Sequence, residues 1–169
     1  MNKFIWIFGA ISGILGAVAE FLVYGNYLPY DSFGAIRLFK IFLLVICIVF
    51  AVIAIKKLNG QISLARTLLT SILVSLVRSI FLIGGFLLMY YPKGEIFEPV
   101  KTYAYEKSID MMQEEDRTPK NLSIKKLEIA DQFSLTGYPK YGLMGSVVTA
   151  VFAGVFLGLI VANKPKNNA

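Results

Sequence analysis

The sequence predicts an all-α membrane protein: four transmembrane helices with a periplasmic helical hairpin between spans three and four. Three observations predict it. Apolar residues make up 56% of the 169-residue chain and charged residues 17%, where a soluble domain carries about 45–50% and about 25%. The excess sits in long uninterrupted runs, and four of them supply the roughly 20 residues that cross about 30 Å of hydrocarbon as a helix. All six prolines (Pro29, Pro92, Pro99, Pro119, Pro139, Pro165) fall outside those runs, as continuous helices require.

The first span runs from Phe4 to about Tyr24 and is interrupted only by Glu20. Lys3, an apolar core and Ala17-Val18-Ala19 resemble a secretory signal with its cleavage site. The apolar run resumes at Phe21-Leu22-Val23 with no polar region between, so a retained span is expected. The second span runs from about Phe33 to Ile55, with Arg37 and Lys40 in its first turns; the third runs from about Ile62 to Tyr91 and contains Arg78. Between them Gly60 suits a turn and Ser63 can cap the helix that follows.

A hydrophilic insert, Pro92–Lys140, comes next, so that the chain divides into residues 1–91, 92–140 and 141–169. Glu98-Pro99 opens a helix, with Pro at a tolerated first-turn position. Val100, Tyr103, Ala104, Met111 and Met112 then fall near one face. Arg117-Thr118-Pro119 breaks the helix, and Asn121 or Ser123 caps a second one from about Ile124 to Phe133. Gly137-Tyr138-Pro139 leads into the fourth span, about Tyr141 to Ala162. The insert is too short for a large core of its own and is expected to lean on the membrane.

Orientation follows from the basic residues. With both termini in the cytoplasm, that side holds Lys3, Lys56, Lys57, Arg66, Lys164 and Lys166 and no acidic residue. The other side holds Asp31 and an insert with eight Lys/Arg against nine Asp/Glu. The six unopposed charges equal the formal net charge of +6, the asymmetry of the positive-inside rule. Tyr24, Tyr27, Tyr30, Tyr90, Tyr91, Tyr138 and Tyr141 gather at the outer boundary, where amphipathic rings settle. The pI of about 9.4 thus reflects topology, and with no long basic cluster no nucleic-acid partner is expected.

Chemistry is sparse. The chain has no histidine and one cysteine, which removes the usual zinc, haem and iron ligands and any His-activated nucleophile. Cys47, mid-span among Val45, Ile46, Ile48 and Val49, reads as a small hydrophobe. The acidic run Glu114-Glu115-Asp116 lacks the alternation of a calcium loop. No enzymatic activity, no cofactor and no metal site are expected.

Ionisable residues inside spans are the functional candidates. At about 1.5 Å per residue, Glu20, Lys40 and Arg78 lie roughly 24, 22 and 18–20 Å from the inner ends of their helices, at one level in the outer half. They form a candidate intramembrane ion pair, Glu20–Lys40 or Glu20–Arg78, that fixes helix order. The alternative is a small transporter or channel, or an anion site on Arg78, using this cluster with the stripe Thr67, Ser71, Ser75. A relay through the full depth lacks titratable groups in the inner half, so packing is the favoured role of the stripe. Small residues recur at every fourth position in span one (Gly9, Gly13, Ala17) and span four (Ser146, Ala150, Gly154, Gly158). Such rows mark close helix contact, expected here between spans one and four.

At the second connection the chain reads Ile55-Lys56-Lys57-Leu58-Asn59-Gly60-Gln61-Ile62-Ser63-Leu64-Ala65-Arg66-Thr67-Leu68. A basic pair after a span, then G-x-I-S, a basic residue and a new apolar run resembles a family of four-span membrane proteins common in Bacteroidota, domain of unknown function 4199. Met111-Met112 and Lys125-Lys126-Leu127-Glu128 in the insert are similar to that family too, although Leu64 stands where it usually has Phe. The resemblance implies a Gram-negative inner-membrane protein with a periplasmic insert, and carries over no activity and no functional residues. The expected role is a non-enzymatic accessory or assembly component whose partners, besides the lipid bilayer, are other membrane proteins or a second copy.

Overall fold

A computed structural model describes residues 2–91 and 94–161. Pro92 at the start of the insert, and Ala162, Lys164, Pro165 and Lys166 of the expected tail, lie outside the described residues. Six α-helices and no strand are found among the described residues. Four are long and apolar enough to cross a membrane, which makes this a membrane protein with four candidate spans.

Helix α1 (Lys3–Tyr24) starts where the Asn2 side chain accepts a hydrogen bond from the Phe4 amide at 3.1 Å, satisfying one of the free donors of a first turn. Helix α2 (Phe33–Asn59) carries Lys56 and Lys57 in its last turn, next to its unpaired carbonyls, and stops at Gly60. There φ is +70°, a left-handed conformation open to glycine. Ser63 then caps α3 (Leu64–Tyr90) by accepting from the Arg66 amide at 3.2 Å.

The insert differs in detail from its expected boundaries. Helix α4 (Glu98–Asp110) ends before Met111 and Met112, so the two methionines leave the face shared by Val100 and Ala104, and Met111 is exposed. Helix α5 (Pro119–Gln132) starts earlier than Ile124 because Thr118 is its cap, accepting from the Asn121 amide at 3.3 Å. Neither Asn121 nor Ser123 has that role. Pro119 follows at the first helical position, where its missing N–H costs nothing. Helix α6 (Gly137–Val161) likewise begins four residues before Tyr141. Ser134 accepts from the Gly137 amide at 2.8 Å, and Pro139 is tolerated in the first turn. Tyr138 is thereby a residue of the fourth long helix.

The four long helices form a bundle with α3 as its hub. Helices α1 and α6 each pack along α3, and α2 touches all three. Sequence reasoning expected α1 and α6 to pack on each other, and the structure corrects this: both small-residue rows close on α3. A Cβ at Gly9 would lie 2.6 Å from Val77 Cβ, and one at Gly13 would lie 2.6 Å from Phe81 Cβ and 2.7 Å from the Arg78 carbonyl oxygen. Ala17 meets Gly85, and Gly154 and Gly158 meet Ser71 and Leu64. Spacing marks a face for close approach; the partner is whichever helix offers a matching groove. Here α3 offers two.

The core has two parts. Toward the chain's beginning, Ile5, Leu44, Ile48, Val52, Ile55, Val74, Val77 and Ala150 fill the bundle axis. At the other end Val23, Tyr24, Phe86 and Met89 of the spans join Phe97, Val100, Ile129 and Phe133 of the insert region. Helices α4 and α5 therefore sit on the end of the bundle through an aromatic cluster. Its tightest pair is Phe86 and Tyr138, with ring centroids 4.0 Å apart.

Candidate functional site

Between the two core regions, the four long helices leave a cavity of about 320 Å³. Glu20 and Tyr24 reach it from α1, Arg37, Lys40 and Leu44 from α2, and Arg78 and Leu82 from α3. Tyr138, Gly142, Gly145, Ser146 and Thr149 form the α6 wall. Those α6 residues follow the helical repeat i, i+4, i+7, i+8, i+11, so one face supplies them all. The two glycines make the room, since a Cβ at either would meet nothing within 4 Å.

All three intramembrane charges of the sequence analysis line this cavity. Glu20 is 3% exposed. One of its oxygens accepts from Lys40 Nζ and the other from the Tyr138 hydroxyl. The pair is thus Glu20–Lys40. Arg78, 5% exposed, has no carboxylate partner among the described residues: its Nη1 donates to Ser146 Oγ at 2.6 Å and its Nη2 to the Lys40 carbonyl at 3.2 Å. Its Nε has no protein partner among the described residues. A buried guanidinium held only by neutral acceptors is costly, and three cations surround this cavity against one carboxylate. Such a site attracts anions.

The hydroxyl stripe of α3 does not line this space as a channel would. Thr67, Thr70, Ser71 and Ser79 donate to carbonyls one turn back on their own helix. Small and self-satisfied, they give α6 a surface on which Gly154 can sit against Ser71. The buried Ser12 and Ser75 hydroxyls have no partner among the described residues. Cys47 is buried. No cluster of metal ligands occurs among the described residues.

Above the cavity the insert covers a second space of about 380 Å³, which shares Phe33, Arg37 and Gln132 with the first. The Arg37 guanidinium lies over the Phe33 ring at 4.7 Å between the two. In the upper space the Tyr103 hydroxyl donates to Asp31 at 2.5 Å, and Lys125 pairs with Glu128 at 2.9 Å. The bond to the Asp31 carboxylate holds the Tyr103 hydroxyl above its ordinary value of 10.0, because ionising it would lose the donor and set two anions together.

Sequence reasoning found the three charges and Ser146 but missed Tyr138, Gly142 and Gly145. A signal existed for the glycines, which share the i+3, i+4 face with Ser146; Tyr138 was hidden by a helix start read too late. No curated protein and no solved structure matches the chain. The family described as "Protein of unknown function (DUF4199)" matches residues 7–163, and the chain belongs to that family.

Proposed function

We propose that the protein is a non-enzymatic accessory component of a bacterial inner membrane that binds a small anion at Arg78. Both termini are cytoplasmic in this reading, and α4 and α5 stand on the periplasmic side. Lys3, Lys56, Lys57 and Arg66, with no acidic residue among them, support that orientation. One observation carries the binding role: a nine-tenths buried guanidinium whose hydrogen-bond partners are neutral, beside a cavity with an excess of cations. Its volume falls within the range of about 300–1,000 Å³ usual for small-ligand sites.

The transporter or channel reading has less support. Ile48, Val52, Val74 and Val77 pack the axis beyond the cavity, and Thr67, Thr70, Ser71 and Ser79 of α3 donate to carbonyls of their own helix. The test is thermal unfolding in a neutral detergent, with millimolar phosphate exchanged for chloride at constant ionic strength. At about tenfold excess over its dissociation constant a ligand stabilises by ~1.4 kcal/mol, a shift of a few degrees. Wild type should show it and Arg78→Gln should not. An equal shift in both proteins would reject the anion site.

A further inference from the structure

The cavity is partly roofed on the insert side and open to the bilayer. Toward the insert its roof is Tyr24 and Phe133, each 4% exposed. Sideways, Ile41 of α2 and Tyr141 of α6 line it and are 46% and 43% exposed, and Gly145, one turn beyond Tyr141, is exposed as well. The opening therefore faces out between α2 and α6, along helix surfaces that are otherwise apolar. Its depth suits a head group. Lys40 lies seven residues into α2, and Gly145 eight residues into α6, which is about 10–12 Å from the insert ends of those helices.

We infer that the ligand of this site is the phosphate of an anionic membrane lipid, entering sideways between α2 and α6 with its acyl chains left in the bilayer. This rests on the anion-site reading above and adds the source of the anion. Arg78 supplies a planar guanidinium suited to a phosphate, and each of its terminal nitrogens keeps a second N–H beyond the one given to Ser146 or to the Lys40 carbonyl. Lys40 gives one of its three N–H groups to Glu20 and keeps the others. At Gly142 and Gly145 the α6 face is open, since a Cβ at either meets nothing within 4 Å, and that space takes a glycerol backbone. A head group in this position also sets a negative charge against a pocket that otherwise carries surplus cations in a medium of low dielectric constant.

Native mass spectrometry of the full-length protein, released from a neutral detergent, tests this. Equimolar phosphatidylglycerol and phosphatidylcholine of identical acyl chains are supplied, with glycerol 3-phosphate as the soluble competitor. The expected result is one retained phosphatidylglycerol, preferred about tenfold, that glycerol 3-phosphate at the same concentration does not displace. Gly145→Trp, which closes the opening and leaves every charge in place, should reduce the preference to parity, as should Arg78→Gln. Lys57→Gln, at the other end of the bundle, should leave it unchanged.

Displacement by glycerol 3-phosphate as effective as by the lipid itself overturns the lateral-lipid inference and leaves the anion site standing. A preference that survives Arg78→Gln overturns both. Loss in Lys57→Gln, with none in Gly145→Trp, locates the lipid elsewhere and again overturns the inference. Circular dichroism and gel filtration check each variant; if Gly145→Trp does not fold, Gly142→Leu blocks the same face one turn away.

Discussion

Glu20 is shared between two helices at once, with one oxygen on Lys40 of α2 and the other on Tyr138 of α6. Removing its charge leaves Lys40 without a counterion and Arg78 without the nearest negative charge. Glu20→Gln is therefore expected to destabilise by about 3 kcal/mol, the size of a broken buried pair. Combining it with Lys40→Met should recover most of that loss, and unfolding in mixed detergent micelles measures both. Independent, additive losses would mean that the contact contributes no coupling. The second residue-scale expectation concerns Tyr103. Its hydroxyl is shifted up by Asp31, so the contact is intact at neutral pH and through the ordinary tyrosine value. It is lost only as pH rises through the higher folded value. Ultraviolet difference titration against Tyr103→Phe isolates its transition, which Asp31→Asn should bring down; a transition unmoved by Asp31→Asn removes the contact from the account.

At the scale of the helices, close approach decides which glycines matter. Gly13→Ala sets a methyl 2.6 Å from Phe81 Cβ and 2.7 Å from a backbone oxygen of α3. Neither can retreat cheaply, so a loss of roughly 1–3 kcal/mol is expected. Gly84→Ala meets nothing within 4 Å and should be neutral within about 0.5 kcal/mol; reversible unfolding of the two variants side by side checks the contrast. Much at this scale was readable beforehand. Gly60 and Ser63 mark the end of α2 and the start of α3, since turn chemistry and caps act locally, whereas the apolar run stops at Ile55, four residues short of Asn59. The common depth of Glu20, Lys40 and Arg78 followed from helical rise alone. What stayed hidden was relational. Gly9 and Gly154 each announce a packed face, but nothing in their spacing names α3 as the partner of both. Thr118 was passed over as a cap because Pro119 looked like a break when it is a first-turn residue.

For the whole molecule the open question is direction across the membrane, and single cysteines answer it. In a Cys47→Ser background, Glu115→Cys should react with an impermeant maleimide once the outer membrane is permeable. Lys57→Cys should react only after the inner membrane is opened. The opposite pattern would invert the proposed orientation and with it the leaflet that supplies the lipid. The cavity is a property of this scale too: side chains of all four long helices wall it, under a roof of Tyr24 and Phe133. No local sequence pattern encodes a space enclosed by four helices. On α6 its trace is Gly142 and Gly145, where a Cβ would meet nothing within 4 Å.

The central place of α3 also has a consequence in time. The face of α3 that α6 covers is its polar one, with Ser71 and the Arg78 guanidinium. Ribosomes deliver about 5–20 residues per second, and about 70 residues lie between the end of α3 and the end of α6. For roughly 4–14 s, then, the nascent protein must hold an arginine inside the membrane with its final neighbour not yet made. Glu20 and the Lys40 carbonyl are already present in that interval. The Lys40 carbonyl that accepts from Arg78 thus belongs to a helix made before α3, and the Ser146 hydroxyl to one made after it.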